Sequence, residues 1–307
     1  MMHHHASFVI GLGVLASAAA CHRRPPVLTP NAEGVVTIGN AGFMQPENLV
    51  YDPVGDVYLV SNIGGGGPAH DNNGFISRVA ADGRVLDLKW IAGGRDGVEL
   101  DSPKGLAIHG DTLAVADLGA VKLFDRRNGK PLKTISLRGL VMNDVAFGPD
   151  GSIWITDTGP GRDTMPVDTT KDLDAVWKVE PNGKVHAVAR GLSLDRPDGI
   201  VVDGSDALVS TFGGHRLERV RSGPMQLAAT VHDLPAGRVD GLRRLADRSL
   251  LVSSWDAHAV WRLMPNGDLR RVFADVTAPA GIAVDTRRHN LAVTSMQDNE
   301  LYLVPLE

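Results

Sequence analysis

Short apolar runs, broken by polar turns, recur along the chain from about residue 34 to its end. MNDVAFGPDGSIWITD, residues 142–157, is one copy: a polar pair (Asn143, Asp144), an apolar strand, a turn, and a second strand ending in Thr-Asp. Five relatives align with it: QPENLVYDPVGDVYLVSN from Gln45, SPKGLAIHGDTLAVAD from Ser102, RPDGIVVDGSDALVST from Arg196, RVDGLRRLADRSLLVSS from Arg238 and APAGIAVDTRRHNLAVTS from Ala278. Each opens on a polar or small residue, usually followed by glycine, and closes its second strand on Ser, Thr, Asp or Asn. The copies start roughly 40 to 57 residues apart, the range of propeller blades.

The second half of the unit repeats too. A third strand follows, such as FISRVA, VKLFD, VWKVE or VWRLM, and most reach a two-residue turn signal: Asp82-Gly83, Asn128-Gly129, Asn182-Gly183 and Asn266-Gly267. Both members of such pairs accept positive φ and favour hairpins. A fourth strand comes next, for example KTISL at 133–137. The last unit has strands near 281–285, 290–295 and 301–304 but no fourth, while GVVTI at 34–38 precedes the first unit with no partner. Pairing that strand beside the C-terminal one closes a ring and leaves no bare edge. The expectation is therefore an all-β fold, a six-bladed β-propeller of four-stranded antiparallel blades closed by an N-terminal strand pairing with the C-terminal blade. It spans residues 34–307; the alternative is an open array of β-meanders with exposed edges.

Ahead of the repeats, SFVIGLGVLASAAA at 7–20 is too short to span a bilayer and fits a secretory signal over residues 1–20. The only cysteine, Cys21, follows Ala18-Ala19-Ala20 as in a bacterial lipoprotein signal, whose cysteine is lipidated. Ala18 stands where Leu is commoner and the n-region MMHHH lacks Lys or Arg, so simple cleavage after Ala20 is the alternative. Residues 21–33 read as a Pro-rich tether. The protein is expected to be exported, either periplasmic or a membrane-anchored lipoprotein held only through Cys21. A lone cysteine permits no internal disulfide. The formal net charge of -5 gives no basic footprint for nucleic acid.

In a propeller the first strand of each blade is innermost, and its start lies at one mouth of the central channel. Those starts are Glu47, Lys104, Asn143, Asp198, Asp240 and Ala280. Three carboxylates and an amide around one point either take up protons or recruit a cation. Oxygen donors without sulfur suit a hard divalent cation, Ca²⁺ before Mg²⁺. Lys104 has two readings: it orients a substrate, or it pairs with Asp198 or Asp240 and replaces the metal.

These repeats and positions resemble the family of senescence marker protein 30, gluconolactonases and luciferin-regenerating enzymes, six-bladed propellers with a divalent metal in the axial pocket. Paraoxonases and strictosidine synthase-like proteins are a looser match. The resemblance implies a metal ligand at Glu47 of PENLVYDP and a second, together with the general base, at Asp240 of RVDGL. It implies substrate binding at Asn143 of MNDVAF. The family's blade-four Asn falls on Asp198 of RPDGI, a change of charge. Its substrate-gripping Arg, two residues before the blade-three Asn, is Val141 here, which makes a sugar-acid substrate less expected.

The insertions NIGGGGPAHDNNG (62–74) and DTGPGRDTMPVDTTKDLDA (157–175) join second to third strands on the face of the mouth and read as lids or substrate walls. His70 and His215 lie in or near such loops. The five tryptophans read as packing between blades, and no Gly-x-Ser-x-Gly stretch appears. Together these readings give a metal-dependent hydrolase of a lactone or related ester. Glu47, Asn143, Asp198 and Asp240 hold the metal, Asp240 or Asp198 is the base, and Asn143 and Lys104 contact a small-molecule substrate. The alternative is a non-catalytic envelope module that binds a ligand or a protein partner.

Overall fold

The computed structural model describes Met1 and residues 28–66, 69–159, 173–221 and 228–306. The readings of the signal segment and Cys21, most of the tether, and residues 160–172 of the second insertion fall outside these. Among the described residues no helix is long and apolar enough to cross a membrane.

The apolar runs pair as antiparallel meanders. Blade one is Pro46–Asp52, Val57–Asn62, Phe75–Ala80 and Val85–Ala92. Blade four is Pro197–Asp203, Asp206–Thr211, Arg216–Arg221 and Ala228–Asp233, and blade five is Val239–Arg244, Leu250–Ser254, Ala259–Leu263 and Leu269–Ala274. Blade six is Pro279–Asp285, Asn290–Ser295 and Glu300–Pro305, and Val36–Ile38 adds antiparallel to its outer edge with Val36 opposite Leu303. The ring is closed there by the N-terminal strand, as the unpaired run at 34–38 predicts.

Blades two and three share one hydrogen-bonded sheet because two of their strands are long. Thr112–Asp125 doubles back at Gly119 (φ 63°), and Arg126 N–H donates to Asp111 O across its two ends (2.8 Å). Pro131–Phe147 begins as the outer strand of blade two and ends as the inner strand of blade three. Counting inner strands gives six blades. Each inner strand touches the next, and the sixth returns to the first. The apolar core is divided accordingly into six buried clusters, one at each blade interface. Leu49, Val60, Ala283 and Leu301, for example, join blade one to blade six.

The outer hairpins refine one expectation. Only the glycine of each turn pair takes positive φ: 91° at Gly83, 73° at Gly129, 85° at Gly183 and 92° at Gly267. The residue before it keeps an ordinary φ, and its side chain accepts the N–H two residues on. Asn182 Oδ1 takes Lys184 N–H at 2.9 Å, and Asp82, Asn128 and Asn266 do the same. The Asx side chain thus completes the turn that a second left-handed residue would otherwise make.

Candidate functional site

The inner strands do not enter the ring straight. Five of the six slip register at the axial residue and the one after it: between Pro46 and Leu49, Met142 and Val145, Pro197 and Ile200, Val239 and Leu242, and Pro279 and Ile282. Such bulges kink a strand and re-aim a side chain. The freed N–H groups go to hydroxyls on the second strand. Ser61, Thr156, Ser210, Ser253 and Thr294 accept from Asn48, Asp144, Gly199, Gly241 and Gly281 at 2.8–2.9 Å. Four of these hydroxyls also donate to the axial residue's carbonyl one blade on: Thr156 to Asp198 O (2.5 Å), Ser210 to Asp240 O (2.5 Å), Ser253 to Ala280 O (2.6 Å) and Thr294 to Glu47 O (3.0 Å). A Ser or Thr closing the second strand therefore fixes the height at which each axial side chain leaves the wall.

Close approach explains the glycine that usually follows. A Cβ on Gly199 would lie 2.5 Å from Asp240 O and 2.7 Å from Leu242 N, so only glycine lets the adjacent strands meet there. Blade two is the exception: Ala116 replaces the hydroxyl, and Gly105 N–H donates directly to Asn143 O (2.7 Å).

The predicted axial residues converge. Glu47, Lys104, Asn143, Asp198 and Asp240 are all buried and Ala280 seals the sixth side. Carboxylate oxygens of Glu47, Asp198 and Asp240 lie within 4.8 Å of one another. Lys104 Nζ is 3.3 Å from Glu47 Oε1. Asn143 Nδ2 donates to Asp198 Oδ2 (2.8 Å) and to Thr158 Oγ1 (2.8 Å). Burial raises the Glu47 pKa against the pull of Lys104, and it holds Asp198 and Asp240 well above the ordinary carboxylate range, with the neighbouring acids adding to it. Burial also opposes the charge of Lys104, but Glu47, Asp198 and Asp240 outweigh it and raise its pKa. The ammonium therefore stays charged and pairs with Glu47, not with the aspartates named as its partners from sequence.

The donor set fits a hard cation. Glu47 Oε2 and Asn143 Oδ1 are buried and accept no hydrogen bond from the described residues. Buried oxygens are seldom left so. With the two crowded aspartates these two oxygens make a donor set of oxygen alone, and the three carboxylates have the spacing of one cation's ligand shell.

Three parts of the site escaped the sequence reading. Trp255 packs edge to face on Phe212 of the neighbouring blade, as expected, but its Nε1 also donates to Asp240 Oδ2 (2.9 Å). Trp154 and Trp177 pack at blade interfaces too. Beneath the cup lies a second polar layer. Arg243 Nη1 donates to Asp144 Oδ2 (3.1 Å), Arg243 Nη2 to Asn48 Oδ1 (3.0 Å), and Asn48 Nδ2 to Asp144 Oδ1 (3.2 Å). The signal was in the alignment, because Asn48 and Asp144 stand where the other four copies have glycine. Third, Gln45, Arg196, Arg238 and Ala278, each two residues before an axial position, all take positive φ (44–59°), three of them just before proline. Strain of this kind, about 1–3 kcal/mol a residue, gathers at functional sites. The rim histidines are solvent-facing: His70 sits 2.8 Å from Asp101 and His215 3.9 Å from Asp233.

Fold and cup together define a six-bladed propeller with a buried, oxygen-rich axial pocket. Among solved structures the chain resembles a gluconolactonase from Xanthomonas campestris (20% identity, TM-score 0.68, covering 92% of this chain and 95% of that one). It also resembles regucalcin, a calcium-binding protein from Agrobacterium tumefaciens (19%, 0.62, 88% and 93%). Virginiamycin B lyase from Staphylococcus aureus shares the fold as well (14%, 0.59, 89% and 99%). At these identities the likeness is one of fold. No protein-family model matches the chain, and no curated protein matches it.

Proposed function

We propose that the protein is an exported, divalent-cation-dependent hydrolase of a lactone or related ester. The observation that carries this reading is the cup: three buried carboxylates with oxygens within 4.8 Å, one of them (Glu47) with an oxygen that has no donor, and the donor-less amide oxygen of Asn143. Glu47, Asn143, Asp198 and Asp240 would hold the cation, with Ca²⁺ the best match to the donors. A bound cation supplies Lewis-acid polarisation of the substrate carbonyl.

The side chains account for the rest. Trp255 fixes one oxygen of Asp240 and leaves the other to take a proton from water as its oxygen attacks the carbonyl carbon. The ring C–O bond then breaks and the proton passes to the departing alkoxide oxygen. Asp198, held by Asn143, is the other carboxylate able to act as base. Lys104 presents a positive charge beside Glu47, suited to orienting a carbonyl or carboxylate. The gluconolactonase and the calcium-binding regucalcin among the structural relatives agree with this reading. Export rests on the signal-like residues 7–20, with Cys21 as the anchor.

Thermal melting after EDTA treatment and then with excess Ca²⁺ is the test. A ligand of the native state at a hundred times its Kd adds about 2.7 kcal/mol. Asp240→Ala should abolish that shift and any hydrolysis. An unchanged calorimetric Ca²⁺ affinity in this variant defeats the assignment. The Lys104–Glu47 contact favours a second reading, a non-catalytic binding module whose acids the lysine already satisfies. No Ca²⁺ shift in the wild-type protein selects it.

A further inference from the structure

The cup has one side that its cation chemistry leaves unexplained. The entry residues of blades four and five are both arginines, Arg196 and Arg238, and each lies over an aromatic ring: Arg196 Cζ is 5.0 Å from the Phe212 ring and Arg238 Cζ 5.4 Å from the Trp255 ring. The two rings meet edge to face at 5.2 Å and 86°. Phe212 N–H donates to Arg196 O and Trp255 N–H to Arg238 O, so the two arginine–aromatic pairs occupy equivalent places in their blades. The corresponding residues elsewhere are Gln45, Ser102, Val141 and Ala278, none of them cationic.

The two arginines differ in one respect. Arg238 is spent: its Nε and Nη2 both lie 2.6 Å from Asp256 Oδ1. Arg196 makes no ion pair among the described residues, and its Nε is buried without a partner. Its backbone is pinned, with Arg196 N–H on Asp174 Oδ2 at 2.7 Å and φ at 59°. That Nε, withdrawn from water and left without an acceptor, is costly unless something supplies one. Trp255 ties the same wall to Asp240.

We propose that Arg196, backed by Phe212 and Trp255, is a specificity-determining anion subsite at the mouth of the cup. It would select ligands that carry a carboxylate next to a planar or apolar group. The proposal rests on the cup being a ligand site and goes beyond the hydrolase reading by naming the substrate class. It also supplies the grip missing at Val141, from one blade further round.

Calorimetric titration with phenylacetate and with its neutral isostere phenylacetamide tests this, at saturating Ca²⁺ and with no turnover required. Phenylacetate should bind about tenfold more tightly, the advantage of a charge-assisted pair. Arg196→Gln should erase that preference and leave phenylacetamide binding unchanged. Arg196→Lys, which keeps the charge, should retain part of it. Equal binding of the two probes to the wild-type protein overturns the subsite. So does a preference that survives Arg196→Gln, which would assign the carboxylate to the cation. So does an equal loss for both probes, which would make Arg196 a counter-ion of Asp198. None of these outcomes depends on hydrolysis, so failure of the hydrolase reading is separately visible.

Discussion

Both ends of the ring bury carboxylates, but only one end pairs them in full. At the far end of the blade-one inner strand, Arg126 grips both oxygens of buried Asp52 (2.8 and 3.0 Å), then gives Nη2 to Asp111 (2.9 Å) and Nε to Gly110 O (3.0 Å). Beside it Arg288 joins Asp285 (2.8 Å) to Asp56 (2.7 Å), and its hydrogen bonds hold the Asp56 carboxyl well below the ordinary range. At the mouth, among the described residues, three carboxylates share one ammonium and two buried oxygens accept no hydrogen bond. Comparable burial thus has two outcomes. Balanced charge staples blade one to its neighbours, whereas unbalanced charge leaves a place for a ligand.

The sharpest way to break this contrast is to unbalance the paired end. Arg126→Met strands Asp52 without its guanidinium. Losing one partner of a buried pair costs about 3–5 kcal/mol, or roughly 10 °C in melting midpoint for a chain of this size. Calorimetric Ca²⁺ binding should be unchanged in the same variant. A weakened Ca²⁺ affinity would show that the two ends are not independent.

The same contrast explains what the sequence made legible. The ring, its N-terminal closure and the axial residues follow from a repeat that each blade must satisfy locally, so aligning Glu47, Asn143, Asp198 and Asp240 located the cup. Side-chain pairings outside the repeat have no such register. Arg243 meets Asp144 from two blades away, and Trp255 reaches Asp240 from a loop after the second strand. Neither spacing is periodic, and only the odd Asn48 and Asp144 in a glycine column hinted at the lower layer. The choice of Glu47 as partner for Lys104 was likewise hidden, because a long side chain at one axial position can reach toward any of the acids on the ring. Blade two's third strand, VKLFD, was legible, but not that it runs on from the second as one strand turning at Gly119 without an intervening polar loop.

Lys104 is where the comparison can be sharpened next. Among the described residues it is the one cation at the unbalanced end that touches a member of the acid cluster, and it would compete for Glu47 with a cation bound in the proposed site. Lys104→Met should lower the midpoint of the EDTA-treated protein and tighten Ca²⁺ binding by about tenfold, or about 1.4 kcal/mol. Titration calorimetry reads the affinity. If the wild-type protein binds no Ca²⁺ and Lys104→Met does, the lysine is the resident counter-ion and the binding-module reading stands. If the affinity falls, Lys104 supports the cation site and is not its competitor.

The smallest effect is that of pH on the unbalanced end. Burial, followed by the charges of Asp198 and Glu47, raises the Asp240 pKa above its ordinary 3.8. Without cation the folded protein therefore keeps a proton that the unfolded chain has lost. That contribution to stability is fully present below the unfolded pKa and is lost as pH rises through the folded one. Asp240→Asn, still able to accept from Trp255, carries no such dependence. Urea unfolding in EDTA at pH 4 and at pH 8 should show the variant gaining on the wild-type protein as pH rises, with Ca²⁺ removing the gain. The difference should be modest, because Glu47 and Asp198 are coupled to the same proton and absorb part of the change. A variant that instead loses ground with rising pH would mean that Asp240 is already balanced in the cation-free protein, as Asp52 is at the other end.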